Sequence, residues 1–127
     1  MTPRPRARRI VASDDDPMLL GFVVTTLRDA GHCVFAAYDA DSACELALAL
    51  DELDLMITNT RLGTVSARDL IRAVRRQKPD LPILHIGDPL PNPDGLLDDV
   101  PTLPEPITAE ALVAAVRDLL AHRETRT

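Results

Sequence analysis

The chain has 127 residues, 46% of them hydrophobic, with two Phe, one Tyr, no Trp, 11 Pro, two Cys and a formal charge of −6. That length suits one domain, which at this size hides roughly two-thirds of the surface its unfolded form exposes and needs no disulfide or metal to hold an aliphatic core. Few aromatics and net negative charge argue against nucleic acid as a direct partner, because base stacking and phosphate neutralisation both lack their residues. No apolar run reaches the length of a membrane span, and no membrane partner is expected, although a basic tip could touch lipid or a partner.

Residues 1–8, with Arg4, Arg6 and Arg8 around Pro3 and Pro5, read as a disordered basic leader, 9–123 as the domain and 124–127 as a frayed tail. Ile10 to Ala12 forms a first strand. Pro17 then opens a helix whose Leu19, Leu20, Val23, Val24 and Leu27 fall at helical spacing until Gly31. Cys33 to Ala37 is the second strand, and Ser42 with Glu45 three residues on makes a capping box for a helix burying Ala43, Leu46, Ala47 and Leu50. Leu53 to Thr58 is a continuous apolar strand of the kind covered on both faces. Ser66 and Asp69 start a third helix that buries Leu70, Ile71 and Val74 and ends before Pro79.

Leu81 to Ile86 is the fourth strand. Pro89, Pro91, Pro93 and Gly95 then exclude a long helix, so 87–104 reads as an irregular loop with one short helical turn before a fifth apolar stretch, Val100 to Leu103. A last helix from Thr108 carries Leu112, Val116, Leu119 and Leu120. Strand and helix alternating in this way predict an α/β fold, a doubly wound five-stranded parallel sheet with helices on both faces. Cys33 and Cys44 stand outside any metal or redox spacing, read as small core fillers, and point to the cytoplasm.

In such folds ligands meet the carboxyl ends of the strands. Here those ends carry Asp14, Asp15 and Asp16, then Asn59 to Gly63, then Gly87 and Asp88, then Glu105 and Pro106. Three adjacent carboxylates raise one another's pKa unless a cation or a hydrogen-bond donor stands close. A divalent ion such as Mg²⁺, held by one or two of these carboxylates and water, would relieve them; an acidic turn capping the first helix is the equal alternative. Either way the loop repels phosphate, so it is no nucleotide cradle.

Ile-Val-Ala-Ser-Asp-Asp-Asp-Pro at 10–17, Asp-Leu-Met-Ile-Thr-Asn-Thr-Arg-Leu at 54–62, Leu-Pro-Ile-Leu at 81–84 and Glu-Pro-Ile at 105–107 resemble the receiver domain of bacterial two-component response regulators. The resemblance runs from about Arg8 to Arg123 and implies a flavodoxin-like sheet of strand order 2-1-3-4-5. It also implies phosphoryl transfer from a histidine kinase to an Asp at the end of strand three. An acidic pair holds Mg²⁺, and a hydroxyl after strand four and a Lys after strand five contact the phosphoryl oxygens. Only the acidic pair carries over, as Asp14 and Asp15.

The acceptor position falls on Asn59, the hydroxyl position on Gly87, the lysine position on Glu105, the usual Pro after the acceptor on Gly63, and the switch aromatic on Thr102. The chain's single lysine, Lys78, lies between the third helix and the fourth strand, at the other end of the sheet. An amide oxygen is a far weaker nucleophile than a carboxylate, and Glu105 puts an anion where the transferring group needs a cation. Arg61 is the one nearby compensation.

The favoured expectation is a degenerate receiver, not an enzyme, acting by protein contact without phosphorylation and needing no cofactor, with Mg²⁺ bound at most weakly. Its partners would be a histidine kinase, another regulator or receiver, or a second copy of the chain, on a surface rebuilt around the missing fourth helix. Two other readings stand beside it: phosphotransfer through Asp14, Asp15, Asp16 or Asp88, and a cation sensor made of Asp14, Asp15 and Glu105 completed by the Asn59 amide oxygen. His85 is expected to pack beside the site, and His32 and His122 to be exposed.

Overall fold

The computed structural model describes residues 7–125, apart from the side chains at 61 and 123–125. Its elements in chain order are β1 (Arg9–Ser13), α1 (Pro17–Asp29), β2 (Cys33–Ala37), α2 (Ala40–Ala49), β3 (Leu55–Asn59), β4 (Arg61–Leu62), β5 (Val65–Ser66), α3 (Ala67–Gln77), β6 (Ile83–Ile86), β7 (Thr102–Leu103) and α4 (Ala109–Thr125). Five strands form one sheet in the order β2-β1-β3-β6-β7, every pairing parallel, which is the expected doubly wound arrangement. The short pair β4 and β5 is an antiparallel ribbon between β3 and α3, turned at Gly63 with φ 73°. Thr58 pairs with Ser13 and with His85, and Asn59 with Ile86, so the carboxyl ends of the three central strands finish level.

Local chemistry sets the helix starts. Asp16 caps α1 by accepting from the Met18 N–H, with Pro17 in the first turn, where its missing N–H costs nothing. Ser66 caps α3, its Oγ accepting from Asp69 N, and Thr108 Oγ1 accepts from Ala111 N at the start of α4. For α2 the capping residue is Asp39, which accepts from Ser42 N, so the helix begins two residues before the Ser42–Glu45 box. That bond also holds the Asp39 carboxyl below its ordinary pKa.

Alternation along the strands divides the core in two. Ile10, Ala12, Leu55, Ile57, Leu84 and Ile86 pack under α1 and α4, against Leu20, Val23, Leu27, Leu112 and Val116. Val11, Met56 and Ile83 pack on the other face against Ala43, Ala47, Leu70, Ile71 and Val74 of α2 and α3. Leu97 joins this second cluster from the 87–101 segment, which holds turns and no helix, as its prolines require.

That segment is fastened by charge. Arg68 and Arg72 pair with Asp94, and Arg75 pairs with Asp99 at 3.1 Å. Arg68 also donates to Pro91 O, and Arg75 to Leu81 O. The three arginines recur at helical spacing on one side of α3, and the Arg68 hydrogen bond, with that from Leu96 N, pulls the Asp94 carboxyl down to about 2.

Several expectations change in detail. The fifth strand shortens to Thr102–Leu103 because Pro101 and Pro104 flank it and Val100 N turns back to Leu97 O. Cys33 is exposed at the start of the edge strand β2 and does not fill the core, while Cys44 is half-buried and packs against the second cluster. His32 is half-buried, and burial together with Arg8 lowers its pKa; His122 is exposed. Arg8, assigned to the leader, accepts from Cys33 N through its carbonyl and pairs with Asp54. The rest of the leader, 1–6, and residues 126–127 of the tail lie outside the described residues, while α4 continues through Thr125. Lys78 donates to the Ala47 and Leu50 carbonyls, a cation at the C-terminal end of α2 and far from the strand ends.

Candidate functional site

An open cleft of about 400 Å³ lies at the carboxyl ends of β1, β3 and β6, lined by Asp14, Asp15, Asp16, Leu19, Asn59, Thr60, Gly87, Asp88 and Glu105. The sheet therefore brings together the acidic triplet and the three positions Asn59, Gly87 and Glu105. Thr102 stands apart, exposed on the edge strand β7. Arg61 belongs to β4 by its backbone; its side chain, the expected counter-charge, lies outside the described residues.

Each of the three aspartates has its own donor. Asp14, buried at 4% exposure, accepts from Asp16 N and from Asn59 Nδ2, both at 2.9 Å. Asp15 accepts from Gly63 N at 3.1 Å, and Asp16 is engaged in capping α1. Backbone and amide N–H groups thus do what a cation would otherwise do for this triplet. Burial still raises the Asp14 pKa, assisted by the neighbouring Asp16 and Asp15 charges and opposed by the two hydrogen bonds.

Asn59 is the centre of the arrangement. Its Nδ2 donates to Asp14 and, at 3.5 Å, to Glu105 Oε1, while its Oδ1 accepts from Thr60 N. Glu105 is placed by a loop whose bond to Pro106 is cis. A neutral amide holding two hydrogens between two carboxylates is stable where a third carboxylate would be repelled.

Gly87, where the resemblance leads one to expect a hydroxyl residue, leaves no room for a side chain. Its φ of 127° disfavours any side chain, and a Cβ there would collide with Thr60 Oγ1 and lie 3.2 Å from Asn59 Oδ1. Thr60 fills that space and lies 3.0 Å from His85 Nε2, whose Nδ1 lies 3.1 Å from Thr102 Oγ1. His85 is fully buried, and burial lowers its pKa, with Asp88 acting weakly the other way. Thr60 and the bonding of His85 are what sequence spacing missed; a threonine beside a strand-end Asn, opposite a glycine, was the available signal.

The site does not fit the Mg²⁺ that the resemblance implies. A hard cation needs oxygens converging on it, and Asn59 turns its N–H groups toward Asp14 and Glu105 while its oxygen is taken by Thr60 N. Among the described residues no cluster of three or more His, Cys, Asp or Glu is arranged to hold a metal ion. No described helix is long and apolar enough to cross a membrane.

No protein-family model matches the sequence, and no curated protein matches it. Solved structures do match. The chemotaxis response regulator CheY4 of Vibrio cholerae is 24% identical, over 90% of this chain and 99% of that one, with a TM-score of 0.80. A CheY-like response regulator receiver domain protein from Methanospirillum hungatei is 16% identical, over 96% and 100%, with a TM-score of 0.87. The signal receiver domain of an HD domain-containing protein from Pseudomonas fluorescens is 24% identical, over 99% and 96%, with a TM-score of 0.81. The fold is that of CheY-like response regulator receiver domains, with the same five-stranded parallel sheet.

Proposed function

We propose that this chain, folded as a receiver domain, is a pseudo-receiver of two-component signalling that works by protein contact without accepting a phosphoryl group. The observation that carries this is the Asn59 amide, which occupies the end of β3 and donates to Asp14 and Glu105. Phosphoryl transfer to β3 requires an anionic oxygen there and a cation against the equatorial phosphoryl oxygens. The cleft offers an N–H group for the first and a glutamate for the second.

The other acceptors are poorly placed for the same chemistry. Asp14, Asp15 and Asp16 all spend carboxylate oxygens on internal donors, and nothing cationic among the described side chains lines the cleft. The chain then performs no catalysis of its own and requires no cofactor. Its partner is a cytoplasmic signalling protein, a histidine kinase, another receiver-bearing regulator or a second copy, engaged through the surface rebuilt by the 87–101 loop.

The test is incubation with a small acyl-phosphate donor and Mg²⁺, followed by intact mass. Unchanged mass is expected. A gain of one phosphoryl group overturns the proposal, and peptide mapping then distinguishes β3 from Asp14–Asp16 and Asp88.

A further inference from the structure

A line of hydrogen bonds joins the cleft to the far edge of the sheet. It begins where Asn59 donates to Asp14 and Glu105, passes from Asn59 Oδ1 to Thr60 N, and continues from Thr60 Oγ1 through the His85 ring to Thr102 Oγ1. It crosses three neighbouring strands, β3, β6 and β7, and its middle member is fully buried while its last residue is exposed.

Two rigid planar groups make the line transmit. The Asn59 amide is one: whatever draws Nδ2 away from the carboxylates also swings Oδ1 off Thr60 N, because both atoms belong to one plane. The imidazole is the other. A neutral ring has one N–H and one lone pair, so if Nδ1 donates to Thr102, Nε2 must accept from Thr60, and the reverse holds in the other tautomer. The two threonine hydroxyls therefore cannot be oriented independently, and the ring's two tautomers are the two discrete arrangements that coupling requires.

We propose that His85 is a positioning residue that couples the state of the cleft at Asn59 to the exposed edge strand at Thr102. The coupling goes beyond the pseudo-receiver reading and does not depend on it, since it concerns what the bonds carry and not whether phosphate arrives. It gives a chain whose 87–101 segment has no helix a route from the cleft to the strand that follows that segment. Thr60 is the link at the cleft end, held over Gly87 by the space that glycine leaves.

The test is ¹⁵N NMR on the full chain, with Asn59→Asp as the perturbation at the cleft. The amides of Thr102 and Leu103 and the His85 ring nitrogens are expected to shift. When the same substitution is made in a Thr60→Val background, which keeps the shape and removes the hydroxyl, the shifts at Thr102 and Leu103 should fall several-fold. Those at Asp15 and Gly63 should remain.

Equal shifts at Thr102 with and without the Thr60 hydroxyl overturn the proposal, as does no shift in either. Thr102→Val reads the line from its exposed end, where folding is least at risk. It is expected to move the His85 Nε2 resonance and the Thr60 amide, and an unmoved Thr60 amide is equally decisive against the coupling.

Discussion

Under α1 and α4 the sheet buries only aliphatic side chains, Ile10, Ala12, Leu55, Ile57, Leu84 and Ile86, with no charge needed to hold the layer. Under α2, α3 and the 87–101 loop, the strands add Ser13, Thr58 and His85 to the apolar set, and arginines of α3 fasten the loop to the surface. The first face resists by burial alone, which salt and pH barely touch. The second replaces a helix with ion pairs and a buried imidazole, so its sensitivity to solution conditions is the greater. The sheet order is fixed by the central strands, and the loop covers its part of the second face with Leu97, with the half-buried Leu90, Leu96 and Val100, and with its contacts to the three arginines of α3.

The largest effect should come from the aliphatic face. Leu27→Ala, at a fully buried position, is expected to lower stability by about 2–5 kcal/mol in urea unfolding, with no dependence on salt. Next is Gly87→Thr, which puts a side chain into a φ of 127° and against Thr60 Oγ1. Strain of that kind costs about 1–3 kcal/mol. Adding Thr60→Ala should recover the collision but not the strain, so thermal unfolding of the double variant should fall between the single variant and the wild type.

Asn59→Asp replaces a donor with a third carboxylate between Asp14 and Glu105. The expected loss at pH 7 is about 1–3 kcal/mol, the cost of leaving a buried acceptor without its partner. Added Mg²⁺ should restore stability to this variant and leave the wild type unchanged, because only the variant presents converging oxygens.

Acid should divide the two faces. His85 has a folded-state pKa below 6.5, so its neutral form contributes stability above 6.5 that is lost as pH falls through the folded value. Asp14 acts in the opposite sense: its folded pKa lies above 3.8, and stability is gained as pH falls through that raised value. Unfolding followed from pH 7.5 to 4 should show a decline that His85→Gln removes and, at the lower end, an opposing rise that Asp14→Asn removes. The smallest effect is expected from Arg72→Ala, whose exposed pair with Asp94 should leave the unfolding midpoint almost unmoved. It should show instead as faster amide exchange or proteolytic nicking between Asp88 and Val100.

Much of this fold is legible in the sequence because its signals are local. Pro17 after Asp16, Ser66 before Asp69 and the apolar run ending at Thr58 each specify an element without help from distant residues, and the prolines at 89, 91 and 93 exclude a helix by themselves. The positions Asp14, Asn59, Gly87 and Glu105 were legible as strand ends. What those side chains do to one another was not. Whether Asn59 presents its oxygen or its nitrogen depends on Asp14, Glu105 and Thr60 together, residues as much as 46 positions apart. Asp39 rather than Ser42 caps α2 for a nearer reason: the helix begins at Ala40, two residues before the Ser42–Glu45 box, and Asp39 stands immediately before it. The exposure of Cys33 follows from β2 lying at an edge, and the arginine clasp needs α3 and the loop already in place.

The central claim is that the end of β3 holds a donor and accepts no phosphoryl group. It is tested most directly by intact mass after treatment with a small acyl-phosphate donor and Mg²⁺, alongside a receiver that phosphorylates under the same conditions. The account predicts an unchanged mass for this chain while the other gains one phosphoryl group. A matching gain here, mapped to the 54–62 segment, would contradict it.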